Sequence, residues 1–384
     1  MTDKQTRRLK RKKRIRRFLL IQLIVLVVLA GGAFLLVRKL MDVSYPKLPA
    51  NRMPKVGVWY SVYTDDGAAS DGSDWHGLYR RGKENRLLIH FFGGGVSLNS
   101  EMDEENGKND GFFYSTTMLQ DVVVQLGIFS DDERNPFRDW SFLAIPYATG
   151  DFHIGQSICS YVDDEGNAVM VRHQGYENYS GLMEKLEGHL GVPDALVISG
   201  SSAGGFATAL LTDELMDYFP ETKNVTACVD SSILLYDDWR ETAEQFWKAP
   251  EEICQRLHSN NITLDSLQAL REKRGQDVKI LFACSVKDRK LQEYQNYIDR
   301  GEMAQTEESA ADFQVNLQKM ADEIEALGDA GVYLFEGLVD PITGNTQHML
   351  LPLEPLEKLV DDTSMAEWMM DAVEGTVRSY RITS

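Results

Sequence analysis

Beyond residue 54 the chain encodes an α/β fold, a mostly parallel sheet with helices on both faces. Apolar runs rich in β-branched residues recur at 86–92, 140–147, 195–199, 225–229, 278–285 and 332–338. Runs this short and this uniformly apolar suit strands buried on both faces. Stretches with helical spacing lie between and after them, at 180–190, 206–219, 311–327 and 354–375. Strands alternating with helices imply a parallel sheet. The third observation is the junction at 195–206, where Ala195-Leu196-Val197-Ile198-Ser199 breaks at Gly200 and a helical pattern follows at once. In such sheets function gathers at the carboxyl ends of the strands.

The first 40 residues stand apart. Ten Lys/Arg lie between Lys4 and Arg17, and residues 18–37 then carry a single polar side chain, Gln22. Twenty helical residues at about 1.5 Å each span a hydrocarbon core of roughly 30 Å. Residues 1–17 are therefore predicted as a basic cytoplasmic tail and 18–37 as a transmembrane signal anchor. Residues 38–53 follow as a linker and 54–384 as the folded domain. The basic flank stays inside, so the domain faces outward from the cell membrane on a single pass. A signal peptide cleaved after Val28-Leu29-Ala30 is the alternative, and it would make the domain secreted.

The chain carries a net −19, but residues 1–40 alone carry +11, so the remainder carries −30. A surface this acidic argues against nucleic acid as a partner and repels polyanions at low salt. About 330 residues remain after the linker, enough for one large domain with a sizeable core. The four cysteines, Cys159, Cys228, Cys254 and Cys284, show no metal-binding spacing. Cys228 and Cys284 sit in apolar runs and read as buried; a disulfide stays open.

Taken in order, 56–63 reads as a strand and 65–76 as a polar, glycine-rich loop. Strand 86–92 ends in Gly93-Gly94-Gly95, and 95–110 reads as a polar loop. Strand 140–147 is closed by Pro146. Helix 180–190 leads to strand 195–199. Strand 225–229 runs into Asp230-Ser231-Ser232. Strand 278–285, the amphipathic helix 311–327, strand 332–338 and a helical stretch over 354–375 complete the series.

Gly200-Ser201-Ser202-Ala203-Gly204 fits the G-x-S-x-G nucleophile elbow in the context that motif requires, strand before and helix after. The turn projects the Ser202 hydroxyl above the sheet, and the glycines remove side chains that would collide there. A Gly/Ser loop binding phosphate is the plainer alternative. A serine nucleophile needs a base, and the base needs an orienting acid. Only His258 and His348 follow Ser202 among the seven histidines. His258 lies at a helix end, where a solvated cap is the simpler reading. His348 follows the last strand through Gly344-Asn345-Thr346-Gln347, so it is the predicted base. Asp288, after strand 278–285, is the predicted acid on position alone; Asp230 and Asp340 are the alternatives. For the oxyanion hole, backbone N–H groups are expected from Ala203 and from Gly95 and Val96 in the HGGG-like loop His90-Phe91-Phe92-Gly93-Gly94-Gly95-Val96.

These motifs resemble the pectin acetylesterase/Notum family of α/β-hydrolase serine esterases. Besides the glycine loop and elbow, the resemblance rests on Ile145-Pro146-Tyr147-Ala148-Thr149-Gly150-Asp151-Phe152-His153-Ile154-Gly155, on Asp230-Ser231-Ser232 and on the loops of Asp288 and His348. It spans residues 56 to 350. It implies a triad of Ser202, Asp288 and His348, an oxyanion hole of Gly95, Val96 and Ala203, and no metal or cofactor. Asp151, His153 and Gly94 could line the substrate cleft, or the first two could be structural. The family often has Trp and Cys where this chain has Val96-Ser97, and Cys where it has Ala148, which fits a bacterial-type member without that disulfide. The implied substrate is an O-acetyl ester on a carbohydrate. A carboxylesterase for lipid or small-molecule esters, and a catalytically silent surface protein binding a glycan or partner, are the alternatives.

Overall fold

A computed structural model of the chain describes residues 43–50, 52–109, 111–117, 120–337, 339 and 346–382. The predicted tail and anchor lie outside the described residues, as does Asp340. No helix among the described residues is long and apolar enough to cross a membrane.

Among the described residues the central sheet has nine strands. β1 (Trp59–Val62), β2 (Gly77–Arg80) and β4 (Ser141–Ile145) pair antiparallel in succession. From β4 onward all strands run parallel: β3 (Arg86–Phe91), β7 (Ala195–Ser201), β8 (Val225–Asp230), β9 (Val278–Ser285), β10 (Ala330–Phe335) and the short β13 (Tyr380–Arg381). β7 and β8 are buried along their whole length, as their unbroken apolar runs require. Each fully buried Leu, Ile or Val contributes about 1.5–3 kcal/mol, and β3, β7, β8 and β9 form the middle of that core.

Helix Ala203–Tyr218 packs on β7 and β8 and is itself covered by helix Ile262–Arg274. Its small residues Ala203, Gly204, Gly205, Ala207 and Thr208 are buried, which lets the helix lie close to the sheet. The predicted helix at 311–327 begins earlier, at Glu307, because Thr306 and Ser309 form a reciprocal cap. The helix expected at 180–190 likewise begins at Gly175.

Two expectations need correction, and a third feature was not anticipated. The polar loop over 95–110 contains a helix, Ser100–Asn109. Its inward residues include Asp103 and Asn106, both buried and polar, so no apolar stripe announces it. The stretch 354–375 is not one helix: β11 (Lys358–Val360) and β12 (Thr363–Ser364) pair antiparallel, and only Met365–Val373 is helical. Asp361 and Asp362, both at positive φ, make the turn, and a Ser364–Glu367 capping box starts the helix. The unanticipated feature is β5 (Ser157–Val162) and β6 (Ala168–His173), an antiparallel hairpin outside the main sheet that the sequence pattern left undescribed. All four cysteines are free thiols.

Candidate active site

Ser202 stands between the end of β7 and the first residue of its helix, at φ 57° and ψ −126°. A non-glycine residue held there stores about 1–3 kcal/mol of strain. Its neighbours enforce the conformation. The Ser202 N–H donates to the Asp230 carbonyl at 2.8 Å, and the Ser232 hydroxyl donates to the Ser202 carbonyl at 2.7 Å. A Cβ at Gly204 would collide with the Phe91 carbonyl, and one at Gly200 with the backbone of Gly204. Strand, elbow and helix therefore close on one another only with glycine at these two positions.

His348 lies with Nδ1 2.7 Å from Oδ2 of Asp288. A carboxylate only accepts, so Nδ1 carries the proton and Nε2 presents a lone pair. Asp288 is fully buried, and its other oxygen accepts the Leu291 N–H at 3.0 Å, capping helix Arg289–Arg300. One carboxylate thus fixes both a helix start and an imidazole. Burial by itself would lower the His348 pKa. The charge and hydrogen bond of Asp288, helped by the charge of Asp230, outweigh it and the net direction is upward. His258 is exposed, and its backbone N–H donates to Asp265 at 2.6 Å, in keeping with a solvated cap.

Asp230 has a different role from the one weighed for it in the sequence. Its Oδ2 accepts from the Ser201 hydroxyl at 2.9 Å and from the N–H groups of Leu350 and Leu351 at 2.8 and 2.9 Å. Its Oδ1 accepts from the Ser231 hydroxyl at 2.9 Å, and Ser231 Oγ in turn accepts the Met349 N–H at 3.1 Å. This buried carboxylate ties Ser201, the residue before Ser202, to the three residues after His348. Burial raises its pKa against the pull of those donors. Its position at a strand's carboxyl end was visible in the sequence; its partners, some 120 residues away, were not.

The glycine loop reaches the elbow directly: a Cβ at Gly93 would lie 2.7 Å from Ser202 Cβ and 2.9 Å from the Ala203 nitrogen. Gly95, at φ 87°, is bridged to Phe113. The flanking bonds run from the Tyr114 N–H to the Gly94 carbonyl, 2.8 Å, and from the Val96 N–H to the Phe112 carbonyl, 3.0 Å. This corrects the expectation for Val96, whose N–H is already committed and whose side chain is buried. The same pairing turns the N–H of Gly95 away from the 112–114 segment. The Tyr294 hydroxyl also bonds the Phe112 carbonyl, linking the helix capped by Asp288 to this loop.

Asp151 and His153 are buried and do not line a cleft. Asp151 accepts from the Thr149 hydroxyl and from the N–H groups of His153 and Gly175. The Nε2–H of His153 donates to the Phe92 carbonyl at 2.9 Å, just ahead of Gly93. Burial holds this imidazole neutral, its pKa lowered to about 4. Both residues therefore brace the glycine loop from behind, while Gly94 is partly open. Replacing His153 with leucine leaves a buried carbonyl without its donor. We expect a stability loss of about 1–3 kcal/mol, read by denaturant unfolding; an unchanged midpoint would dismiss the brace.

A mainly parallel α/β sheet with a serine elbow, a His–Asp pair and a glycine loop at its carboxyl edge is the architecture of the α/β-hydrolase fold. Two crystal structures of the Wnt deacylase Notum from Drosophila share the fold. One is 17% identical with a TM-score of 0.58, covering 84% of this chain and 95% of its own. The other is 16% identical with a TM-score of 0.58, covering 82% and 92%. The sequence profile of the pectinacetylesterase family matches residues 64–288, more than half of the chain. The chain belongs to the pectinacetylesterase family.

Proposed function

We propose that the chain is a serine esterase that removes acetyl groups from carbohydrate through an acyl-enzyme on Ser202. The observation that carries this reading is the 2.7 Å His348–Asp288 pair, whose loop is bound through Asp230 to the strand that ends at the elbow. Ser202 Oγ attacks the ester carbonyl while His348 Nε2 takes its proton. Asp288 holds the required tautomer and stabilises the imidazolium. The developing oxyanion meets the N–H groups of Ala203 and Gly95, with Gly94 beside them, at a helix N-terminus. His348 then returns the proton to the leaving alcohol, and water, activated by the same imidazole, frees acetate and Ser202.

The acetylated glycan substrate is supported by the family, and the serine mechanism by the local geometry. Residues 18–37 would anchor the enzyme in the cell membrane, behind a cytoplasmic basic tail, with the domain of 54–384 outside. The sequence alone supports that placement. The net −30 of the chain beyond residue 40 favours a neutral acetylated glycan over a polyanionic one.

The test is hydrolysis by the full-length protein, read as p-nitrophenol release from p-nitrophenyl esters of increasing acyl length and as acetate release from neutral and anionic acetylated polysaccharides. Acetyl esters are expected to turn over fastest, and hydrolysis of the anionic polymer to rise with added salt. Preference for octanoyl over acetyl esters would favour the carboxylesterase alternative. Inertness on every ester would overturn the esterase reading.

A further inference from the structure

We propose that Asp103, Cys159 and His173 form a binding site for a thiophilic divalent ion of the Zn2+ class, behind the glycine loop and separate from the serine site. The three come from different elements: the helix Ser100–Asn109, β5 and β6. One ligand atom from each, a carboxylate oxygen, the thiol sulfur and an imidazole nitrogen, lies within 4.8 Å of the other two. Nε2 of His173 stands 3.1 Å from Oδ2 of Asp103. Two ligands at about 2.0–2.1 Å from a tetrahedral zinc are separated by roughly 3.3 Å, so this pair is already at ligand spacing. In the β5–β6 register Ser157 faces His173 and Cys159 faces Val171, which puts Cys159 and His173 on the same face of the hairpin. A side-chain movement of about 1 Å then brings the sulfur to bonding distance.

The surrounding groups are those a metal site uses. Nδ1–H of His173 donates to the Thr149 carbonyl at 2.7 Å, which leaves Nε2 as the ligand atom. The Ser97 hydroxyl donates to Oδ1 of Asp103 at 2.6 Å, which leaves Oδ2. Asp103 and His173 are buried, and Cys159 is half-buried. Asp103 also borders a cleft of about 440 Å3 together with Asn106, Phe113 and Tyr161, giving the ion access and a place for a water as fourth ligand. Thiolate with imidazole selects Zn2+ or Co2+ over Ca2+ and Mg2+. Binding balances in charge: the ion replaces the Nε2 proton and the thiol proton, so two positive charges arrive as two protons leave.

The site has a structural consequence for catalysis. Asn106, on the same helix as Asp103, accepts the N–H groups of Phe112 and Phe113 at 2.8 and 2.9 Å, and the Phe112 carbonyl holds Val96. An ion at Asp103 would clamp this helix to the hairpin and stiffen the support of the glycine loop.

The experiment uses the full-length, untagged protein, reduced, stripped with chelator, and titrated with Zn2+ or Co2+. We expect one bound ion per chain. The Co2+ form should show a thiolate-to-metal charge-transfer band in the near ultraviolet and tetrahedral bands in the visible. Cys159→Ser should abolish the charge-transfer band and weaken Zn2+ binding at least tenfold, and Asp103→Asn, whose shape is conserved, should weaken it similarly. Failure to retain metal would overturn the proposal. So would a charge-transfer band that survives Cys159→Ser, or stoichiometric binding unaffected by both substitutions. These readouts do not depend on esterase turnover, so the proposal stands or falls separately from the proposed function.

Discussion

Ser202→Ala is expected to lower kcat for ester hydrolysis by about four to six orders of magnitude, and His348→Ala by an amount in the same range. The two act on one proton, so the double variant should be scarcely worse than either alone. Binding contacts remain, so KM for p-nitrophenyl acetate should move little. The residual rate reflects an oxyanion pocket that still receives the carbonyl. A second effect follows from the backbone. Ser202 sits at φ 57°, and glycine has no penalty there, so Ser202→Gly should be inactive yet more stable than wild type by about 1 kcal/mol. Steady-state kinetics and thermal unfolding on the same preparations separate the two effects. A Ser202→Ala enzyme that retains even a few per cent of wild-type kcat would remove Ser202 from the mechanism.

Asp288→Asn is expected to reduce kcat by about 10⁴ while leaving the fold in place. The reason lies in the two tasks of this carboxylate. The Leu291 N–H needs an acceptor, and the asparagine oxygen satisfies it. The amide nitrogen is then turned toward His348 Nδ1, which can meet a donor only as an acceptor. The imidazole proton moves to Nε2, and the base can no longer accept from Ser202. The pH profile gives an independent check. The active form is the neutral imidazole, so kcat/KM falls as pH drops through the His348 pKa. That pKa is raised above 6.5 in the native site by Asp288 against the effect of burial. The acid limb of the wild-type profile should therefore lie above pH 6.5, and in Asp288→Asn it should move down.

Asp230→Asn provides the contrast. Oδ2 of Asp230 accepts three hydrogen bonds and Oδ1 one, so an amide must keep its oxygen at the Oδ2 position and turn its nitrogen to the Ser231 hydroxyl, which then has to accept and whose own proton loses this acceptor. Hydrogen bonds to a charged group are worth about 1.5–3 kcal/mol each. A loss of roughly ten- to a hundredfold in kcat is expected as the segment after His348 loosens, with a smaller downward shift of the acid limb. If Asp230→Asn matched Asp288→Asn in both rate and profile, the division of roles between the two carboxylates would be wrong.

Much of the molecule was legible in local sequence. Unbroken apolar runs marked β3, β4, β7, β8, β9 and β10, because burial on both faces of a parallel sheet leaves no polar alternation. The elbow was legible because strand, glycine, serine and helix are consecutive. His348 was legible by elimination among the histidines after Ser202. Other features lay beyond a local pattern. The helix Ser100–Asn109 turns buried Asp103 and Asn106 inward, and their partners, His173 and the N–H groups of Phe112 and Phe113, are supplied from outside the helix. Val96 looked like an oxyanion donor until pairing with Phe112 consumed its N–H. Asp151 and His153 looked like cleft residues until their partners turned out to be Thr149, Gly175 and Phe92.

Asp230 and Asp288 make the general case. Both end parallel strands, both are fully buried, and nothing in their neighbouring residues says which one orients an imidazole and which grips the backbone. Residue order determined the sheet, the serine elbow and the family, because periodicity and turn chemistry act over a few residues. The division of labour between those carboxylates, and the meeting of Asp103 with Cys159 and His173, were decided by tertiary structure. A hydrogen bond or a metal ligand set depends on atoms a few ångströms apart that the chain separates by tens of residues.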